Sequence, residues 1–353
     1  MNDEFPQKEL TILMPVFNDW SSLKKLIGRI DSLALPELLR VSILVINDGS
    51  NSRFDPEDSF KRLMRIEKVE ILHLSRNLGH QRAIAVALAY AEQNLQPDLV
   101  LVMDADGEDR PEDIARLLEK GGEGESRIIF AQRSKRSEGL GFRCFYRLYQ
   151  MVYRLSTGSS ISFGNFCLIP FPLLRKLVCV SEIWNHFSAG VIRSRLPFTT
   201  IPTFRGKRIG GKSTMKWNGL VIHGLSALAV HMDVVAVRLL LTVLGLIACS
   251  VAALGIVFGI RIWTDRAIPG WATNISIGLA IIIMQSFLIS LFLAFLILNS
   301  RTQRLFLPRL DYVHFILTKE QVYPPLCLKE IIPGPNWSYS ARPKIGRTIS
   351  AQS

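Results

Sequence analysis

The chain has 353 residues, a formal net charge of +12, 48% hydrophobic residues and 20% charged residues. An ordinary soluble domain carries about 25% charged residues, so this composition excludes a disordered chain and a small disulfide scaffold and points to a globular domain joined to a membrane module. The charge is polarised: residues 1–120 hold 15 Lys/Arg against 21 Asp/Glu, whereas residues 121–353 hold 27 against 9, a basic rear suited to lipid headgroups or nucleic acid.

The opening MNDEFPQKEL is polar and acidic, unlike a signal peptide. Leu10–Val16, Val41–Asn47, Val69–Leu74 and Leu99–Asp104 are short β-rich runs ending in polar or Gly-containing loops. Trp20–Ala34, Pro56–Ile66 and Gln81–Gln93 carry helical periodicity between them. Strands alternating with helices predict a mostly parallel, Rossmann-like α/β sheet, in which ligands bind beyond the carboxyl ends of the strands. The clusters FNDW, NDGS, RNLGHQ and DADGED all fall at those ends. Phe142–Leu155 sets Arg143, Arg147, Gln150 and Arg154 in one stripe on an otherwise apolar helix, the pattern of a helix lying in a membrane interface.

Two later runs are long enough to cross a bilayer, which takes about 20 apolar residues: 234–260, with Arg238 as its one charge, and 275–298, with none. The connector 261–274 carries Trp263, Pro269, Gly270 and Trp271, a turn with aromatic interfacial anchors. Basic flanks, Arg205 to Lys216 before the pair and Arg301, Arg304 and Arg309 after it, place both termini on the cytoplasmic side. The expected organisation is a cytoplasmic domain over 1–215, a juxtamembrane helix over 216–233, the hairpin, and a basic cytoplasmic tail over 299–353. The five cysteines have no metal-ligand spacing and are expected as reduced thiols.

Asp104-Ala105-Asp106 at the end of an apolar strand can hold one hard cation and leave its other positions for diphosphate oxygens, with Glu108 as a third ligand. In sequence order, MPVFND (Met14–Asp19), VINDGS (Val45–Ser50), RNLGHQRAIAVAL (Arg76–Leu88), DADGEDRPED (Asp104–Asp113), AQRSKR (Ala131–Arg136) and RGKRIGGKST (Arg205–Thr214) resemble the family 2 glycosyltransferases. More narrowly, the series resembles the polyprenyl-phosphate (dolichol-phosphate-type) enzymes, which pair a GT-A domain with a C-terminal two-helix hairpin. The likeness runs from about residue 9 to residue 300 and leaves the tail uncovered.

The resemblance implies that Pro15, Phe17 and Asp19 hold the nucleotide base, that Asp48 contacts the nucleoside, and that Asn77 and Gly79 close on it. It implies Asp104 and Asp106 as the residues that bind Mg²⁺ or Mn²⁺ and the diphosphate, with Arg133, Arg136, Arg205, Arg208 and Ser213 receiving the acceptor phosphate. Four positions depart from the pattern: Asp19 stands for a glutamate, Asn47-Asp48 for two aspartates, Glu108 for a frequent glutamine, and Asn165 for the aspartate of a G-D-F-R-L stretch. A lipid phosphate is largely dianionic at neutral pH, its second pKa being about 6, so it needs no general base where Asn165 stands.

The stretch Gly206–Ser213 fits G-x-x-x-x-G-K-[ST], but a membrane hairpin follows it rather than the rest of a soluble nucleotide-binding domain. His80, His186, His223 and His231 form no metal-ligand spacing and read as ordinary polar or core positions. No basic groove interleaved with aromatics marks a nucleic-acid partner. The expected activity is inverting transfer of one sugar from a UDP- or GDP-linked donor to polyprenyl phosphate, at the cytoplasmic face of a bacterial inner membrane or, in a eukaryote, of the ER. A homo-oligomeric state stays open. The alternatives are a non-catalytic lipid-phosphate-binding scaffold on the same fold and a membrane polysaccharide synthase.

Overall fold

The computed structural model describes residues 7–55, 60, 62–122, 126–133, 140–158, 160–161, 163–210, 217–263, 270–302, 306–325 and 329–331. A nine-stranded sheet organises the domain, in the order β7-β5-β6-β4-β1-β2-β3-β8-β9. Its centre is parallel: β1 (Lys8–Val16) lies between β2 (Leu39–Asn47) and β4 (Leu99–Val102), and β3 (Ile66–Leu74) lies outside β2. These strands are Val-, Ile- and Leu-rich along almost their whole length because helices cover both faces. The chain moves outward from β1 through β2 to β3 and then returns to the other side of β1 at β4. The strand order therefore switches between β1 and β4, where a crevice opens at the carboxyl ends.

Helix α1 (Trp20–Asp31) buries Leu23, Leu26, Ile27 and Ile30 on one face of the sheet. Helix α2 (His80–Tyr90) is apolar all round and buried from Ala83 onward, the pattern of a helix inside the core. Helix α3 (Asp113–Gly122) leads to β5 (Ile128–Arg133). The outer strands β5, β6 (Cys167–Pro170) and β7 (Phe198–Thr203) mix directions: β6 runs antiparallel to β4 and β5, and β5 is parallel to β7. Helices α4 (Leu140–Thr157), α5 (Phe171–Leu177) and α6 (Phe187–Ser194) fill the connections. The helix expected over Phe142–Leu155 is α4, and it exposes Met151, Val152 and Leu155.

No helix forms over the described part of 56–66, contrary to the expectation from periodicity. The amides that a helix would direct to carbonyls four residues back are taken by side chains: the Asp31 carboxylate accepts from Met64, Arg65 and Ile66 N–H at 2.8–3.1 Å, and Tyr323 Oη accepts from Leu63 N–H at 3.1 Å.

After β7, α7 (Trp217–Ala229) leads into α8 (Met232–Trp263) and α9 (Trp271–Thr302). Both are longer than the apolar runs suggested, so the expected connector 261–274 shortens to the residues between Trp263 and Trp271. Met232–Trp263 and Trp271–Asn299 are long and apolar enough to cross a membrane; only 11% and 6% of their most apolar windows are buried, whereas a soluble core helix would be mostly buried. The buried residues of the pair include Ala236, Ser250, Ser286 and Ser290, small residues of the kind that let membrane helices approach closely.

The segment after the hairpin differs most from expectation. Rather than a separate tail, it continues through α10 (Pro308–Asp311) into β8 (Ile316–Tyr323), which pairs antiparallel with β3, and β9 (Lys329–Ile331) beyond it. Tyr312, Ile316 and Val322 are buried in the domain's two cores. The hairpin thus leaves the domain and returns to it. The rest of the expected basic tail, from residue 332 on, lies outside the described residues.

Candidate functional site

Three strand-end loops converge at the switch point. Beyond β1, Asn18 takes a left-handed backbone (φ 56°) and Asp19 caps α1, accepting from Ser22 N–H at 3.4 Å. Pro15 is buried in β1, in register with Ile46 of β2, and Phe17 just beyond is 47% exposed at the rim. Beyond β2, the buried Asp48 accepts from Leu78 N–H at 2.7 Å and Gly79 N–H at 3.0 Å. Burial lifts the Asp48 carboxyl above its usual range against the pull of those two amides. Gly49 (φ 68°) lies so close to Asn77 that a Cβ would sit 2.5 Å from its backbone nitrogen. Asp48 and the Asn77–Gly79 loop, far apart in sequence, therefore form one corner.

Beyond β4 lies the acidic turn. Buried Asp109 accepts from Asp104 N–H at 3.0 Å, and Asp106 Oδ1 accepts from Glu108 N–H at 2.9 Å. Burial first, and then the charge of Asp104, raise the Asp106 carboxyl above its usual value. Across this turn runs the segment after β7. Arg208 Nη2 donates to Asp106 Oδ2 at 2.5 Å, and Arg205 donates to Glu108 Oε2 through Nη2 at 2.6 Å and Nε at 3.0 Å. The backbones interlock too: Gly206 N–H donates to Glu108 O at 2.8 Å and Ile209 N–H to Asp106 O at 2.9 Å. Gly107 (φ 81°) has Ile209 packed against it, and a Cβ on Gly206 would meet Gly107 O at 2.5 Å. The acidic turn and the basic strap are complementary in charge and in shape. Asp19 adds its field to the same Arg208.

His80, expected as an ordinary polar position, belongs to this site: its Nε2 lies 3.1 Å from Asp104 Oδ1. Desolvation opposes charge on the ring, but the Asp104 carboxylate, with Asp109 and Asp106 behind it, prevails and raises His80 above the usual histidine value. Asn165 Nδ2 lies 3.0 Å from the same ring nitrogen, Gln81 Nε2 donates to Asn165 Oδ1 at 3.2 Å, and Phe187 N–H donates to Gln81 Oε1 at 2.6 Å. The sequence signal was His80's place at the start of the helix that follows N-L-G.

Asp104 and Asp106 are carboxylates on one strand end, a hard-oxygen donor pair that suits Mg²⁺ or Mn²⁺. Glu108, expected as a third ligand, faces Arg205 instead, and among the described residues no three acidic, His or Cys groups gather as a ligand set. The donor pair fits a hard cation that takes its other ligands from elsewhere than the described side chains. Arg133 ends β5; its side chain, together with Arg136 and Ser213, lies outside the described residues. The P-loop-like stretch opens on the basic strap, with no helix over 206–210.

Residues 11–175 match the family model described as "Glycosyl transferase family 2". The chain is 28% identical to the Bacillus subtilis (strain 168) protein named "Uncharacterized glycosyltransferase YkcC" over 77% of this chain and 83% of that protein. It is 28% identical to the undecaprenyl-phosphate 4-deoxy-4-formamido-L-arabinose transferase of Klebsiella pneumoniae (strain 342) over 44% of this chain, and spans 46% of that protein's length. Among solved structures, glucosyl-3-phosphoglycerate synthase of Mycobacterium tuberculosis, crystallised with Mn²⁺, UDP-glucose and phosphoglyceric acid, is 14% identical with a TM-score of 0.46, covering 65% of this chain and 80% of that one.

Proposed function

We propose that the chain, whose residues 11–175 match the glycosyl transferase family 2 model, transfers a single sugar from a UDP- or GDP-linked donor to a polyprenyl phosphate at the cytoplasmic face of a membrane. One observation carries this reading. The acidic turn at Asp104 and Asp106 is met by the Arg205–Arg208 strap, and the chain then enters two helices of membrane-crossing length. A nucleotide-diphosphate site and a phosphate-seeking cation pair thus share one crevice beside a lipid anchor. The Klebsiella relative, whose name specifies undecaprenyl phosphate, supports the same acceptor class.

In this reading the Asp48–Asn77–Gly79 corner and the Pro15–Asp19 segment hold the nucleoside, while Asp104 and Asp106 hold a divalent cation on the diphosphate. When bound, that cation supplies charge stabilisation to the departing nucleoside diphosphate. A phosphate oxygen of the lipid attacks the anomeric carbon as the bond to the diphosphate oxygen breaks, which inverts the configuration and moves no proton. Arg205 and Arg208 turn from carboxylates to phosphates as the substrates arrive and align two anions that would otherwise repel. Exposed apolar groups on α4, with α8 and α9, keep the lipid phosphate at that depth, a proximity contribution.

Asn165 favours a second reading, a non-catalytic lipid-phosphate-binding protein, because it places an amide where the resembled enzymes carry a carboxylate. One experiment decides. Purified protein with Mn²⁺, short-chain polyprenyl phosphate and radiolabelled UDP- and GDP-sugars yields an organic-extractable labelled lipid if the transferase reading is right, and Asp106→Ala abolishes it. No labelled lipid from any donor, with lipid binding retained, supports the second reading.

A further inference from the structure

The described strands beyond the hairpin do more than cover an edge of the sheet. Asn47 ends β2, and His73, in register beside it, comes from β3. Glu320 on β8 is the diagonal neighbour of His73, whose direct partner is Thr318. Asn47 Nδ2 lies 3.0 Å from His73 Nδ1, and His73 Nε2 lies 3.3 Å from Glu320 Oε2.

The proton positions follow from the backbone. Ser50 N–H donates to Asn47 Oδ1 at 2.9 Å, which fixes that atom as the carbonyl oxygen and turns the amide NH₂ toward the ring. His73 Nδ1 is then the acceptor, and Nε2 carries the ring hydrogen, 3.3 Å from the Glu320 carboxylate. The relay continues on the other side: Asn18 N–H donates to Ser50 Oγ at 2.9 Å, and Asn51 N–H donates to Asn18 Oδ1 at 2.9 Å. Glu320 is thereby connected through His73, Asn47 and Ser50 to both loops assigned to the nucleoside. The same logic accounts for Asn47 where two aspartates were expected. An aspartate there would need a proton on Nδ1, which either leaves a bare Nε2 facing the Glu320 carboxylate or charges the ring.

We infer that Glu320 is a positioning residue for the nucleotide site, acting through His73 and Asn47 on the Asp48–Ser50 turn, so that the segment returning from the membrane takes part in donor binding. This rests on the donor-site assignment proposed above. Glu320 touches no substrate in this account; its carboxylate favours the tautomer that the Asn47 amide requires and so supports the shape of the turn.

The test is calorimetric titration of the full-length protein with UDP and with GDP, each with MnCl₂. Glu320→Ala and His73→Ala weaken binding of whichever nucleotide the wild type takes by about 2- to 30-fold, the range for residues acting on a site through others, and raise the donor KM without changing kcat. Glu320→Gln keeps a carbonyl oxygen opposite Nε2–H and binds as the wild type does. Glu320→Ala combined with His73→Ala is no weaker than either alone, because both break one relay. Leu317→Ala, an exposed change on the same strand, leaves binding unaltered. Wild-type affinity in Glu320→Ala overturns the inference, as does equal weakening in Glu320→Ala and Glu320→Gln. A wild-type protein that binds neither nucleotide overturns the donor-site assignment itself, which separates the two failures.

Discussion

Arg208 donates to Asp106 at 2.5 Å, although the two residues are 102 positions apart. In the proposed reading the pairing puts an acceptor-side cation on a donor-side carboxylate, so the group that helps to gather phosphate also competes with the divalent ion. Arg208→Ala separates the two roles. Mn²⁺ binding, read from the free-ion EPR signal, stays level or tightens, while KM for polyprenyl phosphate rises about 10- to 150-fold, the equivalent of a hydrogen bond to a charged group worth roughly 1.5–3 kcal/mol. Weaker Mn²⁺ binding in this variant would contradict the competition.

Gly107 tests whether the fit of strap to turn matters. Its backbone is left-handed, and a Cβ would sit 2.5 Å from Ile209 Cγ1. Gly107→Ala is expected to cost about 1–3 kcal/mol in backbone strain and to lower transfer, measured by chemical denaturation and by product formation. Gly28 is the contrasting case: it lies within α1 with nothing within 4 Å of its Cβ position. Gly28→Ala is expected to stabilise by about 0.5–1 kcal/mol.

The return of the chain after the hairpin makes the post-hairpin segment part of the domain. Tyr312 is buried, its ring 6.3 Å from that of Tyr90, and its hydroxyl accepts from Asn94 Nδ2 at 3.0 Å. Tyr312→Ala is expected to cost about 3–5 kcal/mol, and truncation before residue 303 to give aggregating protein through the uncovered edge of β3. Thermal unfolding and size-exclusion chromatography check both.

The same pairing sets a topology. Cys179 is exposed on the domain, and Leu317 is exposed on β8. A cysteine at Leu317 is expected to react with an impermeant maleimide from the same side as Cys179, and one at Trp271 from the opposite side. Labelling of 179 and 317 from opposite sides would contradict the hairpin.

The central strands and their polar ends were legible because apolar runs broken by FND, NDGS and DADGED leave few other arrangements. The hairpin was legible from length and polarity alone. What escaped reading depends on partners far along the chain. The periodicity of 56–66 suggests a helix until Asp31 and Tyr323 claim its amides. The sequence ILTKEQVY of β8 looks like surface until β3 is beside it. Glu108 suggests a metal ligand until Arg205 is found opposite, and His80 shows its place only when α2 is aimed at Asp104. In each case a local pattern was overruled by a side chain that only the fold brings near.

The most direct test of the account is the identity of the nucleotide released per lipid product. Transfer of the sugar alone, with Asp104 and Asp106 serving the departing diphosphate, predicts one nucleoside diphosphate for each polyprenyl-phosphate-sugar formed, resolved by ion-exchange chromatography of a single-turnover reaction. Release of nucleoside monophosphate, or of diphosphate without any lipid product, would contradict it.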